Sequence, residues 1–227
     1  MKAFHSDPAL KEQILTQLQA HYDADEIIKG VYWENGKGCA VGCTIHSRHH
    51  KNYETKLGIP EVLAYLEDNI FEWLPNDGAK EWPMRFIRVI SVGVDLHKVW
   101  PQFAVFLLTD PEHGVLQYAK TDNHKQIIQK VADLYSAERK IYKKEWRTAR
   151  AEARRAYKDA ESYYAFYTYL SAYCAASVAV DFFPKGSALT VEYASSAASA
   201  YDRHAFPYAD YYSALADKLI NLLSACK

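Results

Sequence analysis

Cys39, Cys43, His46 and His50 recur at 4-3-4 spacing directly after Gly36-Lys37-Gly38. Coiled as a helix, they line one face. Such side chains bind zinc, present a thiolate or move a proton. His21 and Asp25, four apart on the helix expected before them, add an imidazole and an orienting carboxylate. As a metal site, Cys39, Cys43, His46 and His50 supply sulfur and nitrogen ligands suited to zinc, the one cofactor the residues bring to mind. The spacing is looser than a Cys-x-x-Cys knuckle. A straight helix also separates Cys39 from His50 by about 16 Å, so all four cannot share one ion. As an enzyme, Cys39 or Cys43 is the nucleophile, His21 the base and Asp25 its support. Cys39 would then stand at a helix N-terminus, whose amides lower a thiol's pKa and can form an oxyanion hole. As a packing device, Gly38 and Gly42 with the cysteines form a small-residue face for close helix approach. Gly36-Lys37-Gly38 also resembles half of a phosphate cradle, but the pattern of a P-loop is missing.

A second constellation is electrostatic. Residues 139–158 hold nine Lys or Arg against two Glu. Lys143, Arg147, Arg150, Arg154 and Lys158 share one helical face about 22 Å long, opposite Trp146, Ala149, Ala153, Ala156 and Ala160. That face can track the phosphates of a nucleic acid or dock on an acidic protein. A second copy of the chain qualifies as well, because residues 1–138 carry 14 basic and 19 acidic groups, a net −5. His97, His113, His124 and His204 are isolated near turns, where surface or capping roles are expected.

The elements that must position these groups are read from periodicity. Hydrophobic residues make up 49% of the 227, enough for a real core, and a net charge of −1 excludes a general polyanion binder. Four cysteines without paired spacing are no disulfide framework, and the start lacks an apolar leader, so a reducing cytoplasm is expected. Residues 162–180 are uncharged and long enough for a membrane span, but so rich in Tyr, Ser and Ala that a buried bundle helix is the better reading.

Asp7-Pro8 starts a first helix that Gly30 ends, with Ile14, Leu18, His21, Asp25 and Ile28 on one stripe. Trp33-Glu34-Asn35-Gly36 is a turn, and a second helix runs from about Cys39 to His50. A third covers Pro60 to Leu74 with Leu63, Leu66 and Ile70 inward. Pro75-Asn76-Asp77-Gly78 reads as a turn and Pro83 as a helix start. Another helix follows through Val99, Phe103 and Leu107. Residues 115–119 read as a short strand or loop. Residues 122–183, free of Gly and Pro, form one long helix or two broken near Ser136. Two alanine-rich helices follow, about 188–204 and 208–225. Eleven of eighteen tyrosines lie from Tyr157 onward, which sets the tail apart.

The run from Trp33 to Thr44, containing Gly-Lys-Gly-Cys-Ala-Val-Gly-Cys-Thr, resembles the head of an uncharacterised family of bacterial and phage-associated proteins. So do Leu57-Gly58-Ile59-Pro60-Glu61 and Leu66-Glu67-Asp68-Asn69-Ile70-Phe71-Glu72. The resemblance covers residues 4–114 and implies an alanine-rich helical tail; the tail here has more Tyr and Ser. It implies no activity and supplies no catalytic residues. The sequence therefore predicts a mostly α-helical cytoplasmic protein with a helical head (1–120) and a bundle of long Ala/Tyr-rich helices (121–227). The leading function is binding, to a protein partner or a second copy. Cysteine- or zinc-dependent catalysis and nucleic-acid binding through residues 139–158 are the rivals; no membrane partner is expected.

Overall fold

A computed structural model describes residues 1–181, 183–201 and 207–227. His204 lies outside the described residues. The fold is mostly α: among the described residues, eleven α-helices accompany a single two-stranded hairpin. None of the helices is long and apolar enough to cross a membrane.

Two compact units divide the chain, Met1–Val99 with Tyr212–Lys227, and Trp100–Tyr211. The division falls some twenty residues before the expected 120/121 boundary, and the C-terminal segment returns to the first unit. Its last helix, α11 (Tyr208–Ser224), buries Tyr212, Leu215, Leu219 and Leu223. Tyr212 stacks on Trp73, and Arg85 donates to Asp217 at 3.1 Å. An apolar stripe on the last helix thus completes a core begun by the first residues.

In the first unit, α1 (Pro8–Asp23) starts as its sequence demands. Asp7 caps it, accepting from the Ala9 amide at 2.8 Å, and Pro8 takes the first position, where no N–H is needed. It stops seven residues before Gly30. Ile14, Leu18 and His21 are buried, but Asp25 lies past the helix with φ +56°. Asn35 and Gly36, both at positive φ, close a tight hairpin between β1 (Trp33–Glu34) and β2 (Lys37–Gly38).

The expected helix from Cys39 to His50 is cut to α2 (Ala40–Ile45), because His46 turns left-handed at φ +48°. Gln17 donates to the Cys43 and Thr44 carbonyls at 2.7 and 2.9 Å, and Lys56 to that of Ile45 at 2.8 Å. These bonds satisfy the carbonyls that continued helix would have used. Then come α3 (Asn52–Leu57), α4 (Glu61–Trp73) and α5 (Asn76–Val89). The Pro75–Gly78 segment opens α5 rather than forming a free turn, and Pro83 sits inside that helix between buried Trp82 and Met84.

The second unit takes up α6 (Val99–Thr109) from Trp100, and then residues 115–118, which form a 3-10 turn, not a strand. The Gly- and Pro-free stretch divides into three helices: α7 (Asp122–Ser136), α8 (Lys143–Lys158) and α9 (Tyr163–Asp181). The break at Ser136 is the expected one. The second break, at residues 159–162, carries no glycine or proline to announce it. α10 is Gly186–Tyr201. Buried alanines face inward on α8, α9 and α10: Ala149, Ala153 and Ala156; Ala172, Ala175 and Ala176; Ala194, Ala197 and Ala198. Ser171 crosses from α9 to the Thr190 carbonyl of α10 at 2.9 Å.

Candidate functional site

The Gly/Cys segment is a wedge, not a ligand frame. A Cβ added to Gly42 would lie 1.6 Å from the Tyr32 carbonyl oxygen, and one on Gly38 2.3 Å from it. The two glycines therefore admit the backbone leading into the hairpin, whereas the sequence reading had them meeting another helix. The amides of a phosphate cradle are spent on protein: Gly38 donates to the Glu26 carbonyl at 3.0 Å and Cys39 to that of Val31 at 2.7 Å.

Both cysteines are buried. Cys39 is the N-cap of α2, its Sγ accepting from the Gly42 amide at 3.4 Å while the thiol faces the Tyr32 carbonyl at 3.6 Å. Burial, joined by the Asp68 charge, pushes this thiol far above the ordinary range. The six-residue helix does not offset that. Cys43 donates to the Gly38 carbonyl at 3.3 Å, and burial pushes it up to about 12. Neither is poised as a thiolate.

The histidines separate into two clusters. His21 Nδ1 meets Glu26 Oε2 at 2.7 Å, and His21 Nε2 meets His46 Nε2 at 2.7 Å. A carboxylate acceptor fixes His21 as donor through Nδ1, so a neutral His21 accepts from His46. Trp33 stacks on His46 with ring centroids 4.5 Å apart, and desolvation, with the nearby His21, holds His46 below its usual 6.5. The carboxylate beside His21 is thus Glu26, not Asp25. After α1 ends, the Glu26 amide donates back to the His21 carbonyl at 2.9 Å and returns its side chain to the ring. Asp25 points away and pairs with Lys80.

The second cluster lies on α4. His50, buried, meets Asp68 Oδ2 at 3.1 Å, stacks on Tyr65 with centroids 4.1 Å apart, and takes Tyr32 edge-on at 5.6 Å. Tyr53 donates to Glu67, a fully buried carboxyl that desolvation raises well above its usual range. Asp68 and Glu72 line a cavity of about 210 Å³ with Gly30, Val31 and Tyr32. Burial, and to a smaller degree Asp68, raises Glu72.

Cys39, Cys43, His46 and His50 therefore do not converge. His46 joins His21, His50 joins Asp68, and the thiols face backbone carbonyls. Among the described residues no three His, Cys, Asp or Glu side chains are grouped to hold a metal. Glu26, Glu67, Asp68 and Glu72 escaped the sequence reading. Glu67 stands four after Leu63 and three before Ile70, on the apolar stripe of α4, and Asp68 stands four after buried Ala64. A carboxylate on a core stripe was the available signal.

In the second unit α8 presents a basic face, which differs from the expected one at two positions: Arg150 is half-buried, and Ala160 lies past the end of the helix, half-buried rather than in its inward row. Trp146, Ala149, Ala153 and Ala156 are buried, while Lys143, Arg147, Arg154 and Lys158 are exposed. Arg150 borders the buried side and pairs with Asp181. The two acids of α8 are occupied: Glu145 by Arg139 at 2.5 Å and Glu152 by Lys130 at 2.8 Å. Lys144 and Arg155 extend the exposed charge. Tyr142, 62% exposed, precedes the helix, and Tyr163, 69% exposed, follows it. No family model, curated protein or solved structure matches this chain.

Proposed function

We propose that this protein binds single-stranded nucleic acid through the outer face of α8. The observation that carries the reading is the row of six exposed cations, Lys143, Lys144, Arg147, Arg154, Arg155 and Lys158, on a helix whose own two acids are already neutralised. The row is about 22 Å long, enough to follow several phosphates. Tyr142 and Tyr163 supply exposed rings beyond its two ends, and a base can stack on each. An acidic protein would use the cations but gain less from the rings, which favours nucleic acid over the protein partner expected from sequence. Thiol catalysis has less support, because both thiols are buried and raised.

The test is fluorescence anisotropy with labelled single-stranded 20-mers at rising salt. Four phosphate contacts give a slope of log affinity on log salt of roughly −3. Reversing Lys143, Arg147 and Arg154 to Glu should abolish binding at about 50 mM salt, and Tyr142→Ala with Tyr163→Ala should weaken it about tenfold or more. Absence of binding at low salt, or binding indifferent to the charge reversals, rejects the reading. Equal affinity for poly-glutamate, unaffected by the tyrosine changes, would transfer the face to an acidic protein.

A further inference from the structure

We propose that the cavity between α7 and α8 in the second unit receives one guanine base of the strand that α8 holds. The cavity, about 490 Å³, falls within the roughly 300–1,000 Å³ of sites that take small organic ligands. Arg155 lines it and also belongs to the exposed cation row, so cavity and row meet at that residue. A base in a single strand is free to leave its stack and enter such a recess, where side chains reach its hydrogen-bonding edges. The base arrives only on a strand held by the cations of α8, so the pocket rests on that reading.

Part of the lining is already paired. Lys130 donates to both oxygens of Glu152, at 2.9 and 2.8 Å, and the two charges form a neutral wall. Arg155 and Asp159 are different. Asp159 is the C-cap of α8, four residues after Arg155, and its amide donates to the Arg155 carbonyl at 3.0 Å. Both side chains line the cavity as neighbours along one helix face. Among the described residues neither side chain has a hydrogen-bond or ion-pair partner. Ile127 and Ala156 give the cavity its apolar contact for the face of a ring.

The free pair chooses the base. Along the edge of guanine, the amino group at N2 and the N1–H donate, and O6 and N7 next to them accept. A carboxylate matches two adjacent donors, and a guanidinium matches two adjacent acceptors. A carboxylate beside a guanidinium therefore reads the four positions in order, Asp159 at N2 and N1, Arg155 at O6 and N7. Adenine places an acceptor at N1 and has no amino group at C2. Each pyrimidine offers one donor group beside its acceptors. The other five cations of the row remain for phosphates.

The experiment compares two labelled 20-mers by fluorescence anisotropy on the full chain at about 100 mM salt, where charge contacts still bind. One strand is all thymidine; the other carries guanosine at every fourth position. The guanosine strand is expected to bind about tenfold more tightly, the order of one bidentate base contact. Inosine in place of guanosine lacks the N2 amino group and should lose most of that gain, with the protein unchanged. Asp159 is exposed at the helix end, so Asp159→Asn spares the core. That variant should bind both strands alike, and the thymidine strand no more weakly than the parent does. Equal binding of both strands by the parent overturns the guanine pocket and leaves the α8 reading in place. Absence of binding to either strand rejects both. A guanosine preference that survives Asp159→Asn, or that inosine retains in full, overturns the pocket as well.

Discussion

Glu67 shows how a single side chain couples this fold to its solvent. It is fully buried, accepts from Tyr53, and keeps one oxygen unpartnered. Desolvation raises it well above 4.5, so the folded protein holds a proton there that the unfolded chain releases. The sign follows: above the unfolded value the native state binds more protons, and its stability falls as pH rises. Glu67→Gln keeps an acceptor for Tyr53 and removes the titration. The variant is therefore expected to gain stability relative to the parent as pH rises above the ordinary carboxylate range. Urea midpoints of both proteins across that range measure it, and a gap independent of pH would refute it. At this scale the sequence showed which residue types were present but not their pairings. His21 with Asp25 was a sound i, i+4 inference that failed because the helix ended first. Glu26 took the place through a backbone reversal that no spacing rule describes.

Elements were more legible. The cap and first position of α1, the alternation of charge and alanine around α8, and the break at Ser136 all follow from local chemistry, and the structure keeps them. The second helix was the weak point. Periodicity alone extends it to His50, but Gln17 and Lys56 satisfy its last carbonyls from a distance. Gly38 and Gly42 are a close-packing surface, as their lack of side chains suggests; the partner is a carbonyl of the strand approach instead of a helix. Gly42→Ala tests this docking. Its methyl group would meet the Tyr32 oxygen at 1.6 Å, a backbone atom that cannot rotate aside. A loss of about 3 kcal/mol or more in chemical denaturation is expected, the upper range of overpacking. A loss under about 1 kcal/mol would mean that the hairpin is not held against α2.

For the whole molecule, the decisive feature is that the chain's last residues complete its first unit. Tyr212, Leu215, Leu219 and Leu223 are buried there, and burying four such side chains contributes roughly 6–12 kcal/mol. That is comparable to the entire stability of a typical domain, about 5–15 kcal/mol. Deleting residues 212–227 is therefore expected to unfold the first unit, seen as lost amide protection across α1 and α4 in hydrogen exchange. Retained protection would place the segment outside the core. The sequence by itself determined the helical class, the caps, the alanine seams and the basic outer face of α8. Each depends on residues within one or two turns of one another, where spacing alone fixes which side chains share a surface. Only the tertiary structure decided that the cysteines are buried, that His46 belongs to His21 and His50 to Asp68, and that Glu26 rather than Asp25 backs the His21 ring. Those facts depend on where helices end and on which distant backbone groups fill the vacated positions, and periodicity carries no record of either.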